Sequence, residues 1–96
     1  MAEVIWSASA LSDLKDIFEF IAKDSPYYAE KYVNKLSEKA QQLIEFPSRG
    51  KVVPEIGNPA IREIIEGNYR IIYTVLDDES QVQIIRIHHS AKILRL

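Results

Sequence analysis

The chain has 96 residues, 47% hydrophobic and 27% charged, an ordinary globular composition that excludes a disordered chain. It has no cysteine, which excludes disulfides and thiolate-bound metal, and a formal net charge of −2 argues against a general nucleic-acid binder. No apolar run approaches the roughly 20 residues needed to cross a bilayer, and the N-terminus lacks a signal-peptide pattern, so one soluble, cytoplasmic domain over residues 1–96 is expected.

Glu3 to Trp6 reads as a short strand, and Ser7 or Ser9 can cap the helix that follows. From Ala8 to about Lys23, Leu11, Leu14, Ile17, Phe18 and Ile21 recur at helical spacing, with Asp13, Lys15, Asp16 and Glu19 mostly on the other side. Asp24-Ser25-Pro26 ends that helix and starts another, with Ser25 as N-cap and Pro26 at the first helical position. This second helix runs to about Glu45, its apolar stripe built from Ala29, Tyr32, Val33, Leu36, Ala40 and Leu43. So short a link predicts an antiparallel pair.

Phe46 to Gly50 opens a loop that continues through Glu55 and closes at Gly57-Asn58-Pro59. Ala60 to Ile65 is the next strand, Glu66-Gly67-Asn68 a tight turn, and Tyr69 to Leu76 its partner. Asp77-Asp78-Glu79-Ser80 then turns the chain into a last long strand, Gln81 to His89. Residues 90–96 are compatible with a further strand, a helical turn or a loose tail. The fold class is therefore α+β: an N-terminal strand and an antiparallel helix pair packed on one face of a mainly antiparallel four- to five-stranded sheet. The opposite face should remain open, and a site belongs there or on a surface loop.

All five arginines fall in residues 48–96, while residues 1–47 carry five lysines and no arginine. Arginine is the better residue for holding phosphate or carboxylate in fixed geometry. Alternation along the last strand puts Val82, Ile84, Arg86 and His88 on one face and Gln83, Ile85, Ile87 and His89 on the other. Together with Arg70, this predicts a cationic, titratable patch on one sheet face. Plainer roles compete. Glu55 can be a solvated loop carboxylate, Arg70 can pair with Glu63 or Glu66, and His89 can lie against the helices. Tyr27, Tyr28 and Tyr32 suit helix packing, and adjacent strand histidines point to opposite faces, which makes His88 and His89 poor joint metal ligands.

Trp6-Ser7, Asp13-Leu14 and Ile17, Pro47 and Gly50, Arg62-Glu63-Ile64, Tyr69-Arg70-Ile71-Ile72-Tyr73 and Ile85-Arg86-Ile87-His88-His89 follow one another in an order that resembles the RelE/ParE superfamily of type II toxin–antitoxin toxins. The resemblance spans nearly the whole chain. It implies a small cytosolic toxin of the plasmid-stabilisation kind, neutralised by a cognate antitoxin and existing as a homodimer or a toxin–antitoxin hetero-oligomer. Within the superfamily, RelE- and YoeB-like members cut mRNA on the ribosome, whereas ParE-like members poison DNA gyrase without a cleavage site of their own.

On the YoeB pattern Glu55 matches the general base, Arg70 the transition-state arginine and His88 the general acid, although His89 replaces the final tyrosine and the chain continues past it. On the RelE pattern the basic residues are Lys51, Arg62, Arg70 and Arg86, without that family's lysine-rich loop or catalytic tyrosine. The ending from His89 to Leu94 resembles ParE-like chains, with Lys92 where an arginine is common. Cleavage by 2′-hydroxyl attack needs a base, positive charge on the phosphate and an acid for the leaving oxygen. Glu55, Arg70 with Arg62 or Arg86, and His88 fill those roles with no metal or other cofactor, and Lys51, Arg62, Arg86, His89 and Lys92 are the candidate binding residues. The leading expectation is a ribosome-dependent endoribonuclease; the alternatives are a non-catalytic gyrase poison and a non-toxic binding relative. Exposure of Arg70 and His88 on one concave surface favours the first; their burial or ion pairing, together with a C-terminal tail that forms an exposed binding element, favours the second.

Overall fold

Two serines decide where the helices begin. The computed structural model describes residues 3–76 and 80–94. In it, β1 (Glu3–Trp6) leads into α1 (Ala8–Ala22), and α2 (Pro26–Gln41) runs into a 3₁₀ turn (Gln42–Ile44). Ser7 accepts the Ala10 N–H at 3.0 Å and its hydroxyl donates to the Ile85 carbonyl at 2.8 Å, so one side chain both caps α1 and ties it to the sheet. Ser25 caps α2 through the Tyr28 N–H, with Pro26 in the first turn as expected. The helix expected to reach Glu45 tightens after Gln41 instead.

Four further strands follow: β2 (Lys51–Val52), β3 (Ile61–Glu66), β4 (Tyr69–Leu76) and β5 (Gln81–His89). They form a five-stranded sheet in the order β1-β5-β4-β3-β2. All neighbours are antiparallel except β1 and β5, whose parallel register runs from Glu3↔Gln81 to Trp6↔Ile84. Lys51 and Val52, read from sequence as loop, pair with Glu63 and Arg62 and make the far edge of the sheet. Gly67 supplies the positive φ of 58° that the β3–β4 turn requires. The expected turn at 77–79 lies outside the described residues, as do residues 95 and 96. Ser90 to Lys92 form a turn, closed by the Lys92 N–H on the His89 carbonyl at 3.0 Å.

The helix pair covers one face of the sheet. Ala10, Ile17, Leu36, Ala40 and Leu43 pack against Ile71, Tyr73, Val82, Ile84 and Ile87, and burial of each large side chain stabilises the fold by about 1.5–3 kcal/mol. No described helix is long and apolar enough to cross a membrane.

The expected alternation along β5 is corrected by a bulge. Ile72 opposes Arg86 but Tyr73 opposes Ile84, so Ile85 is one residue too many. Before the bulge Val82 and Ile84 point to the helices; after it Ile87 and His89 do, opposite Ile71 and Tyr69. Arg86 and His88 therefore share the other face with Ile72 and Arg70, not with Val82 and Ile84. That face is not bare either. Ile72, Arg70 and Glu63 are buried there, and Glu55, from the loop after β2, reaches across to Arg70.

A charge-compensated sheet face as the candidate functional site

Arg70 sits near the start of β4, with His88 as its register partner on β5 and Ile65 on β3. Its Nε donates to the Glu63 carboxylate from the neighbouring strand. Its Nη1 and Nη2 donate to the two oxygens of Glu55 at 2.6 and 2.7 Å, a bidentate pair. Both partners respond. The hydrogen bonds to Glu55 and Glu63 raise the Arg70 pKa above its ordinary value, and the bond from Arg70 holds the Glu55 carboxyl down at about 2. The other Glu63 oxygen faces the Lys51 ammonium at 3.9 Å.

Arg86 is likewise engaged. Its Nε and Nη2 donate to Asp13 of α1 at 2.9 and 3.0 Å, and the same carboxylate accepts the Ile87 N–H at 2.9 Å. Asp13 can reach this backbone because β1 covers β5 only as far as Ile84, leaving the rest of that edge to be closed by α1. The hydrogen bond to Asp13 raises the Arg86 pKa. Lys51, Arg70 and Arg86 are thus matched by Glu55, Glu63 and Asp13, and the patch expected to be cationic is close to neutral.

The structure brings Glu55, Arg70 and His88 together, and it separates them from other candidates. His88 lies beside Arg70 with its Nε2–H donating to the Lys92 carbonyl at 2.9 Å. Arg62 opposes Tyr73 on the helix-facing side and donates to the Gly50 carbonyl at 3.0 Å, which anchors the loop before β2. Tyr73 completes that anchor, its hydroxyl accepting the Gly50 N–H and donating to the Pro47 carbonyl, each at 2.8 Å. Burial raises the Tyr73 pKa. His89 packs edge-on against Tyr69 with ring centroids 5.1 Å apart, and its Nδ1 accepts the Ala91 N–H. Lys92 lies on the turn after β5, at the lip of a groove of about 500 Å³ between α1 and the end of β5, lined also by Asp13, Asp16, Phe20, Tyr69 and His88.

Sequence reasoning weighed Glu63 or Glu66 as the partner of Arg70; Glu63 takes the role, and Glu66 faces Lys35 at 3.7 Å. It missed Asp13, whose helical position suggested only a solvated outer face. No group of three or more metal-ligating side chains occurs among the described residues. Chemically, Arg70 has three of its five N–H donors on carboxylates and its charge offset by them, which leaves it poorly placed to hold a phosphoryl oxygen. A carboxylate with a pKa of about 2 is also a weak proton acceptor at neutral pH.

Residues 4–94 match the model of the ParE toxin of the type II toxin–antitoxin system parDE. Toxin RelE2 of Caulobacter vibrioides is 35% identical over 94 residues, which are 97% of this chain and all of that protein. Among solved structures, the chromosomal ParDE toxin–antitoxin system of P. aeruginosa superposes with a TM-score of 0.75 at 23% identity, covering 93% of this chain and 96% of that one. The intact E. coli RelBE toxin–antitoxin complex gives 0.68 at 19% identity, covering 96% and 100%. At such identities the two structures speak for the fold: two helices on an open, mostly antiparallel five-stranded sheet. The family match over residues 4–94 and the full-length likeness to a RelE toxin go further, and they place this chain in the RelE/ParE superfamily of type II toxin–antitoxin toxins.

Proposed function

We propose that this toxin acts by binding its target, as a ParE-like poison of DNA gyrase, and not by cutting RNA. One observation carries the reading: both arginines that would face a scissile phosphate are already bound to carboxylates, Arg70 to Glu55 and Glu63, Arg86 to Asp13. A patch of balanced charge supplies little electrostatic attraction for nucleic acid. The partner is a cognate antitoxin in a cytoplasmic toxin–antitoxin hetero-oligomer, by analogy with the complexes in which the structural relatives were solved. The groove between α1 and the end of β5, with apolar Phe20 and Ile17 beside charged Asp16 and Lys92, suits an antitoxin segment that folds on binding.

A second reading keeps one observation on its side. Glu55, Arg70 and His88, the three residues matching a YoeB-like endoribonuclease, do converge on one face. A single preparation tests both. Purified toxin is added to a gyrase supercoiling reaction and, in parallel, to cell-free translation followed by primer extension on the mRNA. Stalled supercoiling with intact mRNA upholds the gyrase reading. Codon-phased cuts that vanish in His88→Ala would replace it with ribosome-dependent mRNA cleavage.

A further inference from the structure

Strand β5 ends in two histidines on opposite faces of the sheet, and both rings reach the same short turn, Ser90 to Lys92. Ser90 opens that turn and is pinned without them, its N–H donating to the Asn68 carbonyl at 2.8 Å. Beyond Ser90 the rings take hold. The His88 Nε2–H donates to the Lys92 carbonyl at 2.9 Å, and the Ala91 N–H donates to His89 Nδ1 at 3.1 Å. The two bonds have opposite proton requirements. A carbonyl can only accept, so His88 can serve it in either charge state. A backbone N–H can only donate, so His89 serves it only as the neutral imidazole with its proton on Nε2.

We propose that His89 is a proton-operated latch on the C-terminal turn, closed while its ring is neutral and open once Nδ1 takes a proton. The protonated ring sets one N–H donor against another, and the bond to Ala91 gives way to repulsion. Histidine is the side chain that changes charge between pH 5 and 8, so that is the range in which the latch operates. The groups around the ring come from every neighbouring element. Tyr69 of β4 stands against it, with Tyr32 of α2 behind Tyr69 at 6.0 Å between centroids. Glu66, opposite Tyr69 on β3, is turned to Lys35. From α1, Asp13 and Asp16 line the same groove, and Asp13 is committed to Arg86. Asp16 favours the imidazolium, whereas Arg86, Lys92 and a charged His88 oppose it. Ala91 and Lys92 wall the groove at the strand end. Opening the latch therefore loosens that wall while Ser90 stays pinned and His88 keeps the Lys92 carbonyl. The inference does not depend on which target the toxin engages.

The test is a titration of the full ¹⁵N-labelled chain from pH 8 to pH 5. It follows the ring-nitrogen shifts of His89, the ¹⁵N–¹⁵N coupling across the Ala91 N–H···Nδ1 bond, and the exchange protection of the Ala91 amide. At pH 8 His89 should carry its proton on Nε2 and the coupling should be present. As the ring protonates the coupling should vanish. Ala91 protection should fall roughly three- to tenfold at the same midpoint, the scale of one neutral hydrogen bond. The Ser90 amide should stay protected throughout, which separates the latch from acid unfolding. His88→Gln should keep the transition. His89→Phe, which retains a ring beside Tyr69 but no acceptor, should lack it and leave Ala91 unprotected at every pH. An Nδ1–H tautomer at pH 8, an Ala91 amide indifferent to His89 protonation, loss of Ser90 protection in step with Ala91, or a transition abolished by His88→Gln overturns the proposal. The wild-type titration decides the matter even where a variant fails to fold.

Discussion

Replacing Glu63 by alanine removes the buried half of the Arg70 cluster and measures how far that cluster supports the fold. Glu63 is 3% exposed and Arg70 9%, so the deletion leaves a guanidinium inside the sheet face with Glu55 as its remaining partner and strips Lys51 of its own. Breaking a buried pair from one side costs about 3–5 kcal/mol; retention of Glu55 on Arg70 places the loss near the lower figure, about 3 kcal/mol. Domains of this size are stable by about 5–10 kcal/mol, so a large share of the total is at stake. In urea, with a slope of about 1.5 kcal/mol/M, the midpoint should fall by about 2 M. The double variant Glu63→Ala/Arg70→Met should regain part of that loss, because it removes the stranded charge along with its partner. A midpoint shift under about 0.5 M, or a double variant weaker than Glu63→Ala alone, would refute the burial argument and make the cluster an ordinary surface pair.

Glu55 predicts a pH signature. Its carboxyl titrates at about 2 when folded and at its ordinary 4.5 when unfolded, so its contribution is complete above pH 4.5 and is lost as pH falls from there to 2. The Tm gap between wild type and Glu55→Gln should be constant above pH 5 and close below it; a gap unchanged at pH 2.5 would contradict the pairing. Asp13→Asn should cost about 1 kcal/mol, since Arg86 is partly exposed and the asparagine oxygen still accepts the Ile87 N–H. Asp13→Ala should cost about 2 kcal/mol because that N–H loses its partner, and equal midpoints for the two variants would count against the edge-closing role. Gly50→Ala should destabilise by about 2–3 kcal/mol, because its Cβ would come within 2.5 Å of the Tyr73 hydroxyl and 2.6 Å of the Glu63 carbonyl. Tyr73→Phe costs about 1–3 kcal/mol by stranding the Gly50 N–H, and it should relieve part of the Gly50→Ala penalty in a thermal melt of the double variant.

Local chemistry made much of the fold readable. Ser7 and Ser25 mark helix starts through hydrogen bonds to an N–H three residues on, Pro26 marks one through its fixed φ, and Gly67 marks its turn through φ alone. The strand spans of β4 and β5 follow from their β-branched and aromatic runs. What escaped were features set by residues far apart in the chain. The bulge at Ile85 depends on how β5 meets β4, and one extra residue keeps Arg86 and His88 with Arg70 but parts them from Val82 and Ile84, whose face they were expected to share. Asp13 reads as a solvated helix residue until β1 is seen to stop at Ile84, which leaves the β5 edge to α1. The neutrality of the candidate site is likewise tertiary. Glu55, Arg70 and His88 were recognisable as residue types and Glu63 as one candidate partner of Arg70, but the pairing of Arg70 with Glu55 and of His88 with the Lys92 carbonyl was not.

The parallel pairing of β1 with β5 carries a consequence for how the molecule comes into being. Ser7 bonds to Ile85 and Asp13 to Arg86 and Ile87, contacts that span 73–78 residues of chain, so the opening residues wait for the final strand before they have a partner. Long-range closure of this kind slows folding, since the entropy of a large loop is lost before any contact repays it. Until β5 is synthesised, Ala10 and Ile17 of α1 lack Val82, Ile84 and Ile87, and the helix hairpin carries part of its apolar face uncovered. A growing chain therefore carries exposed apolar surface until the strand that completes its core is in place.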